Sequence, residues 1–239
     1  MNLLISKKDI LEVTKLRGYK FNSHQRRKKN IIRLIRRTSP SGSSILDVGC
    51  ASGDIAVELS SLGYHIHGID LEPKRLATAM KLADIYNQKI KFQCKSFQEF
   101  NSHESFDIVL LGEVLEHFED PVCILKEVKC LLNASGSVII TVPNMPSLRN
   151  RLKFGFLGIF PDNNPEHKFY FDYYRFKKVS HEAGFKISSW KTSFTDVFYI
   201  STFLSLFQKV LLFWFTFLFP KSGDSLIVVI SPEKTALSN

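Results

Sequence analysis

Three side chains in one short run carry the densest chemical potential in this sequence. Glu113, Glu116 and His117 lie in FDIVLLGEVLEHFEDP (106–121), directly after an apolar run that reads as a buried strand. Two carboxylates and an imidazole within five residues, at a strand tip, can act as general bases or as ligands to a divalent ion. The same stretch has a plainer reading in its second half. Asp120-Pro121 is a helix start, with Asp as N-cap and Pro at the first helical position, and Glu119 favours the helix dipole. His167, in PEHKFYF just before a predicted helix, is a second imidazole candidate and equally a surface-loop histidine. His24, His65, His67, His103 and His181 read as structural or solvent-exposed. Cys50, Cys94, Cys123 and Cys130 form no CxxC pair and lack histidines at finger spacing, so neither a structural zinc site nor a disulfide framework is expected.

A second constellation lies upstream. ILDVGCASGDIA (45–56) starts as a strand, turns on Gly49 and Gly53, and enters a helix. Such a loop brings backbone close to a ligand and points a helix N-terminus at it. A dinucleotide fingerprint would need glycines where this chain has Ala51 and Asp54, so the nicotinamide reading fails at two positions. Asp47, two residues before the turn, suits a cationic ligand end. Asp70 closes the next strand (YHIHGIDLEP), where a carboxylate can accept from both hydroxyls of a ribose. Loop and acid together point to an adenosine-type ligand.

The elements that must hold these residues alternate regularly. Strand patterns fall at 44–48, 64–69, 90–93, 106–111 and 138–142, with helical patterns at 55–62, 73–86 and 122–132. That rhythm predicts an α/β fold, a doubly wound, mostly parallel sheet with helices on both faces. Beyond Pro143 come a basic-aromatic stretch (149–160), a helix over 171–183, and strands at 185–190 and 225–230. The domain reading is a basic N-terminal helical arm (1–40), a domain over 41–232 and a polar tail (233–239). The charge is uneven: residues 1–40 carry twelve Lys/Arg against two acids, while the whole chain has net +9. Fifteen of 21 Phe lie at or after Phe154, and 16 of the 22 residues from Phe198 to Phe219 are apolar.

These motifs resemble the class I S-adenosylmethionine-dependent methyltransferases, through LDVGCASG (46–53), GIDLEP (68–73), FDIVLLGEVLEHFEDP (106–121) and GSVIITVPN (136–144). Within them the chain is most similar to the ubiquinone-biosynthesis O-methyltransferases and their unassigned relatives. The resemblance implies a seven-stranded Rossmann-like sheet whose last strand runs antiparallel. It implies that Asp47, Gly49, Cys50, Ala51 and Gly53 surround the methionine part of S-adenosyl-L-methionine. Asp70 and Leu71 would hold ribose and adenine, Ser96 and Phe97 would flank the adenine, and Gly112 would line the same cleft. Many relatives have an acid in that third loop, where this chain has CKSF. Glu113, Glu116 and His117 match an E-x-x-E-H associated with a divalent metal such as Mg2+, and His117, Glu113 and His167 are the catalytic candidates.

Methyl transfer from a sulfonium is an in-line displacement in which the protein chiefly aligns the reactants, and a hydroxyl acceptor also needs its proton removed. No N/D-P-P-Y/F and no Pro-Cys follows the fourth strand, which disfavours amino methylation of DNA bases and cytosine C5 chemistry. The expectation is O-methylation of a small hydrophobic or lipid-linked acceptor by a cytoplasmic enzyme peripheral to the membrane. As a helix, 198–219 would be about 33 Å long, enough to cross a bilayer. Five of its six polar residues, Ser201, Ser205, Gln208, Lys209 and Thr216, form a stripe, however, and a single crossing would strand the last β-strand on the wrong side. An interfacial, re-entrant or internally packed segment is therefore expected, with an anionic membrane surface as partner. The alternatives are an RNA methyltransferase using the basic arm, with nucleic acid the less favoured partner, and a non-catalytic adenosylmethionine-binding protein. MNLLISKK at the start does not read as a cleaved signal peptide.

Overall fold

The structure is a computed structural model, and it describes residues 18–101, 104–158, 164–193, 221 and 223–233. The segment 198–219 and the tail beyond residue 233 lie outside the described residues.

Seven strands form one sheet in the order β3-β2-β1-β4-β5-β7-β6. They are β1 (Ser44–Val48), β2 (His65–Asp70), β3 (Lys91–Cys94), β4 (Phe106–Gly112), β5 (Leu132–Pro143), β6 (Phe185–Ser193) and β7 (Ser225–Pro232). β1 to β5 pair in parallel, and β7 is antiparallel to both β5 and β6. Helices α1 (Gly18–Thr38), α2 (Asp54–Ser61), α3 (Pro73–Ile85), α4 (Pro121–Cys130), α5 (Leu148–Leu157) and α6 (Tyr173–Glu182), with a 3-10 turn at Leu115–His117, complete the described elements.

Strand alternation divides the core in two. Leu46, Val48, Val109 and Leu111 pack on one face with α4 and α6, whereas Ile45, Ile108 and Leu110 pack on the other with α1 and α2. The central strands carry apolar residues toward both faces because helices cover both.

Helix α1 is part of this domain, not an arm standing away from it. Ile31, Ile32 and Ile35 are buried in the second core layer, and Lys28 is only 2% exposed. The apolar residues 31, 32 and 35, set among the basic ones in the sequence, are what seat this helix on the sheet. The helix expected from Phe171 begins at Tyr173, because Asp172 caps it by accepting from the Arg175 N–H at 2.8 Å. Phe171 instead bridges Asn144. The basic-aromatic stretch contains α5, capped by the Ser147 side chain.

One registration bears on the apolar segment. Ser193, the last residue of β6, is paired with Ser225, the first of β7, and the Gly223 N–H donates to Thr192 Oγ1 at 3.3 Å. The chain therefore leaves and re-enters the sheet at a single strand pair. Among the described residues no helix is long and apolar enough to cross a membrane.

Candidate functional site

The loop after β1 is shaped by three left-handed residues, Gly49 (φ 68°), Ala51 (φ 48°) and Gly53 (φ 73°). The N–H groups of Gly49 and Cys50 both donate to the Ile69 carbonyl, at 2.8 and 3.0 Å, which ties the loop to the end of β2. A Cβ on Gly49 would stand 2.6 Å from Val114 Cγ2, and one on Gly53 would stand 2.7 Å from Ala79 Cβ. Both glycines are thus required by packing as well as by backbone angle.

Asp70 is fixed before any ligand arrives. Its Oδ2 accepts from the Ala51 N–H at 2.8 Å and its Oδ1 from the Glu72 N–H at 2.9 Å. A carboxylate has about four acceptor sites, so both oxygens can still accept from a vicinal diol. Leu71 beside it is 71% exposed, an unusual position for a large apolar side chain and a ready platform for a flat ring.

Asp47 sits beneath the loop, 3% exposed, and its Oδ2 has no hydrogen-bond partner. Burial, then the neighbouring charges of Asp54 and Asp70, push its carboxyl up to about 8. Burial alone would raise Asp54 too, but the hydrogen bond and charge of His24, then Lys28, outweigh it and hold Asp54 below its ordinary range. The contacts are His24 Nε2 to Asp54 Oδ2 at 2.8 Å and Lys28 Nζ to the same oxygen at 3.4 Å, with Lys28 also 2.7 Å from Glu58. Three carboxylates converging under one loop favour a cationic ligand. Cys50, raised by burial, Asp47 and Asp70, stays a thiol and is no nucleophile.

A cleft of about 550 Å³ opens beyond the ends of β1, β2 and β4. Of the predicted residues, Gly49, Asp70, Leu71, Phe97, Glu113 and His117 line it. Asp47, Cys50, Ala51, Gly53, Ser96 and Gly112 do not line this cleft. Ser96 is occupied in a reciprocal turn with Glu99, accepting from its N–H at 3.1 Å and donating its own N–H to the carboxylate at 3.3 Å. Arg75, Lys95, Gln98, Phe118 and Glu166 line the cleft and were not anticipated. They come from helix and loop positions whose spacing has no motif, and chain folding alone brings them to the rim.

The EVLEH turn is a single 3-10 turn over Leu115–His117. Glu113 precedes it in the left-handed region (φ 60°), its N–H donating to the Thr141 carbonyl at 2.9 Å. The loop before α6 docks on this turn, with the Lys168 and Phe169 N–H groups both donating to the Glu116 carbonyl, at 2.8 and 3.0 Å. That docking brings His167 to His117, ring centroids 5.0 Å apart and nearly perpendicular. Ligand atoms of Glu116, His117 and His167 all lie within 4.8 Å of one another. Glu113 is not in this set; its carboxylate lies 3.5 Å from Arg27 of α1. The three-residue set, one carboxylate and two imidazoles, fits a divalent ion in ligand chemistry and equally fits a proton relay. His117 Nδ1 lies 3.1 Å from the Glu166 carbonyl. A carbonyl only accepts, so this contact places the proton on Nδ1 and leaves Nε2 with its lone pair.

A sheet of this strand order, with a glycine loop, an acid at the second strand tip and a cleft at the strand ends, defines a nucleoside-binding α/β domain of the methyltransferase kind. The profile of the family described as "Methyltransferase domain" matches residues 22–189, and the chain belongs to that family. It is 34% identical over 103 residues to the ubiquinone biosynthesis O-methyltransferase of Bradyrhizobium diazoefficiens, covering 43% of this chain and 41% of the relative. It is 32% identical over 111 residues to the enzyme of that name from Aromatoleum aromaticum, covering 46% and 47%. The chain thus spans less than half the length of the curated relatives it matches. Among solved structures, the magnesium protoporphyrin IX methyltransferase from Synechocystis, with bound SAH, is similar at a TM-score of 0.63 and 15% identity, covering 93% of this chain and 92% of that one. A S-adenosylmethionine-dependent methyltransferase from Clostridium acetobutylicum gives 0.61 and 11%, covering 94% and 96%. At these identities the two structures share the fold.

Proposed function

We propose that this protein transfers a methyl group from S-adenosyl-L-methionine to a hydroxyl of a small hydrophobic or lipid-linked acceptor at a membrane surface. The observation that carries the cofactor assignment is the buried Asp47 carboxylate, with one oxygen unpartnered, beneath a loop anchored on Asp70. A cofactor bearing an α-ammonium and a sulfonium would supply the cation that Asp47 lacks, and Asp70 would accept from its ribose hydroxyls. When bound, it supplies an activated methyl group. Leu71 and Phe97, which line the cleft, would hold the adenine, and the loop backbone would hold the methionine part.

The acceptor hydroxyl must lose a proton. His117 Nε2, held in its accepting tautomer by the Glu166 carbonyl, is the group that takes it. His167 packs edge-on against His117 and limits its ring rotation. Glu116, His117 and His167 are the residues that would hold a divalent ion, which would lower the hydroxyl pKa instead. The family resemblance to O-methyltransferases favours a hydroxyl acceptor. The apolar composition of 198–219, in a sequence stretch whose flanking strands β6 and β7 are paired, favours a hydrophobic acceptor met at a membrane surface on the cytoplasmic side.

Two measurements test this. Calorimetry with adenosylmethionine should show binding that weakens in Asp70→Ala, since each charge-assisted hydrogen bond is worth about 1.5–3 kcal/mol. Incubation of the protein and labelled donor with a membrane lipid extract should yield an organic-soluble product one methylene heavier than its precursor. Binding without any transfer to lipid, quinone or RNA fractions would reduce the protein to a non-catalytic cofactor binder.

A further inference from the structure

Packing of α1 against the sheet sorts its basic residues into two sets. Arg27 and Lys28 are spent inside the domain, on Glu113, Asp54 and Glu58. Arg33 and Arg37 remain exposed on the flank that faces β6. Asn30, Arg33 and Arg37, at i, i+3 and i+7, share one helix face. Lys191 of the edge strand reaches that face, its Nζ donating to Asn30 Oδ1 at 2.8 Å, and Asn30 Nδ2 donates to Ser193 Oγ at 3.3 Å. Asn30 therefore holds a half-buried ammonium beside two guanidinium groups. The ion pairs among the described residues engage none of Arg33, Arg37 and Lys191. The mutual cost registers on the lysine: burial, then the charges of Arg33 and Arg37, hold it below its ordinary range. Three cations converge here, the lysine fixed by its hydrogen bond to Asn30, and no carboxylate among the described residues pairs with them, so the missing component of the site is an anion.

We propose that Arg33, Arg37 and Lys191 bind the phosphate of an anionic lipid headgroup and seat the α1–β6 flank of the protein on a membrane surface. This rests on the membrane-surface reading above and assigns its contact residues. Guanidinium forks suit phosphate oxygens bidentately, and the lysine adds a point charge. RNA phosphates would satisfy the same chemistry, but position favours lipid. Ser193, hydrogen-bonded to Asn30, is five residues from Phe198, where the apolar run of the sequence begins, and five residues span at most about 18 Å. A headgroup site at the root of an apolar segment matches the two layers of a bilayer surface.

The test is vesicle co-sedimentation of the full chain, using phosphatidylcholine vesicles with and without phosphatidylglycerol across a salt series. One double variant, Arg33→Gln with Arg37→Gln, removes the cluster. A charge-matched one, Lys29→Gln with Arg36→Gln, removes two exposed cations outside it. Cofactor affinity by calorimetry should be unchanged in both, which establishes that they fold. Each basic residue near an anionic surface contributes about fivefold, so the cluster variant should bind phosphatidylglycerol vesicles about 30-fold more weakly. The charge-matched variant should lose several-fold less, and Lys191→Gln should reproduce part of the cluster loss. Equal loss in the two double variants would overturn the site and leave diffuse attraction. Wild-type binding that neither variant weakens would overturn the site while sparing the membrane reading. No wild-type preference for phosphatidylglycerol would overturn both. Cluster-dependent binding of a single-stranded RNA, or full protection of the cluster by inorganic phosphate without vesicle binding, would reassign the site to another source of phosphate.

Discussion

Replacing Asp47 by Asn should make the ligand-free protein more stable and the cofactor complex weaker. The Asp47 carboxyl is raised from 3.8 to about 8. Between those values the folded state holds a proton that the unfolded state has released, so stability falls as pH rises through the window. The steepest loss is about 1.4 kcal/mol per pH unit, which integrates to on the order of 4 kcal/mol by pH 7. Asparagine escapes that penalty but buries an amide, at about 1–2 kcal/mol. The net gain is about 2 kcal/mol, or roughly 4–8 °C in Tm for a chain of this size. The variant-minus-wild-type difference isolates this group from others that titrate. It should favour the wild type by about 1 kcal/mol at pH 4, change sign at about pH 5, grow steadily to pH 8 and level off above. Adenosylmethionine should reverse the order, because its ammonium favours the ionised carboxylate that Asn lacks. For the wild type, binding should tighten and release protons as pH rises from 6 to 8. Scanning calorimetry with and without cofactor, at several pH values, reads all of this. A Tm difference independent of pH between 5 and 8 would refute the assignment of a strained, protonated Asp47.

His117→Ala should lower kcat by about 10²–10⁴ and leave cofactor affinity intact, read by single-turnover transfer. Turnover that a chelator stops and a divalent ion restores, with the ion requirement altered in His167→Ala, would place an ion at Glu116, His117 and His167, and full activity in chelator would leave the base alone. Gly49→Ala sets a Cβ against Val114 at a left-handed backbone and should cost about 1–3 kcal/mol in denaturant unfolding, with Val114→Ala recovering only the steric share. Lys28→Met leaves Asp54 and Glu58 without their shared buried cation and should cost about 3 kcal/mol at neutral pH. Because the Asp54 carboxyl is held low, that stabilisation is present above the ordinary carboxylate range and is lost as pH falls through the depressed value. The penalty of Lys28→Met should therefore shrink below about pH 4, as acid unfolding curves would show.

Local chemistry made much of this protein legible in its sequence. The apolar runs at 44–48 and 106–111 read as strands from their place in a strand–helix alternation, and Gly49, Gly53, Asp47 and Asp70 point to a nucleoside loop by type and spacing. Asp120-Pro121 starts its helix as written, its side chain accepting from the Val122 and Cys123 N–H groups at 3.0 Å. What the sequence could not determine lies in contacts between residues distant along the chain. His167 meets His117 across 50 residues because the Glu116 carbonyl accepts two backbone N–H groups from the loop before α6. Glu113, which looked like a partner of Glu116, turns to Arg27 because α1 folds across the sheet. Residues 1–40 read as a basic helical arm because composition counts charges and cannot say which are paired. Burial of Ile31 and Ile35 decides that Lys28 is an internal cation, that Arg27 serves Glu113, and that Arg33 and Arg37 stay outside beside Lys191. A linear sequence fixes which groups are present. Only the tertiary fold decides which charges are neutralised from within and which are left for a ligand.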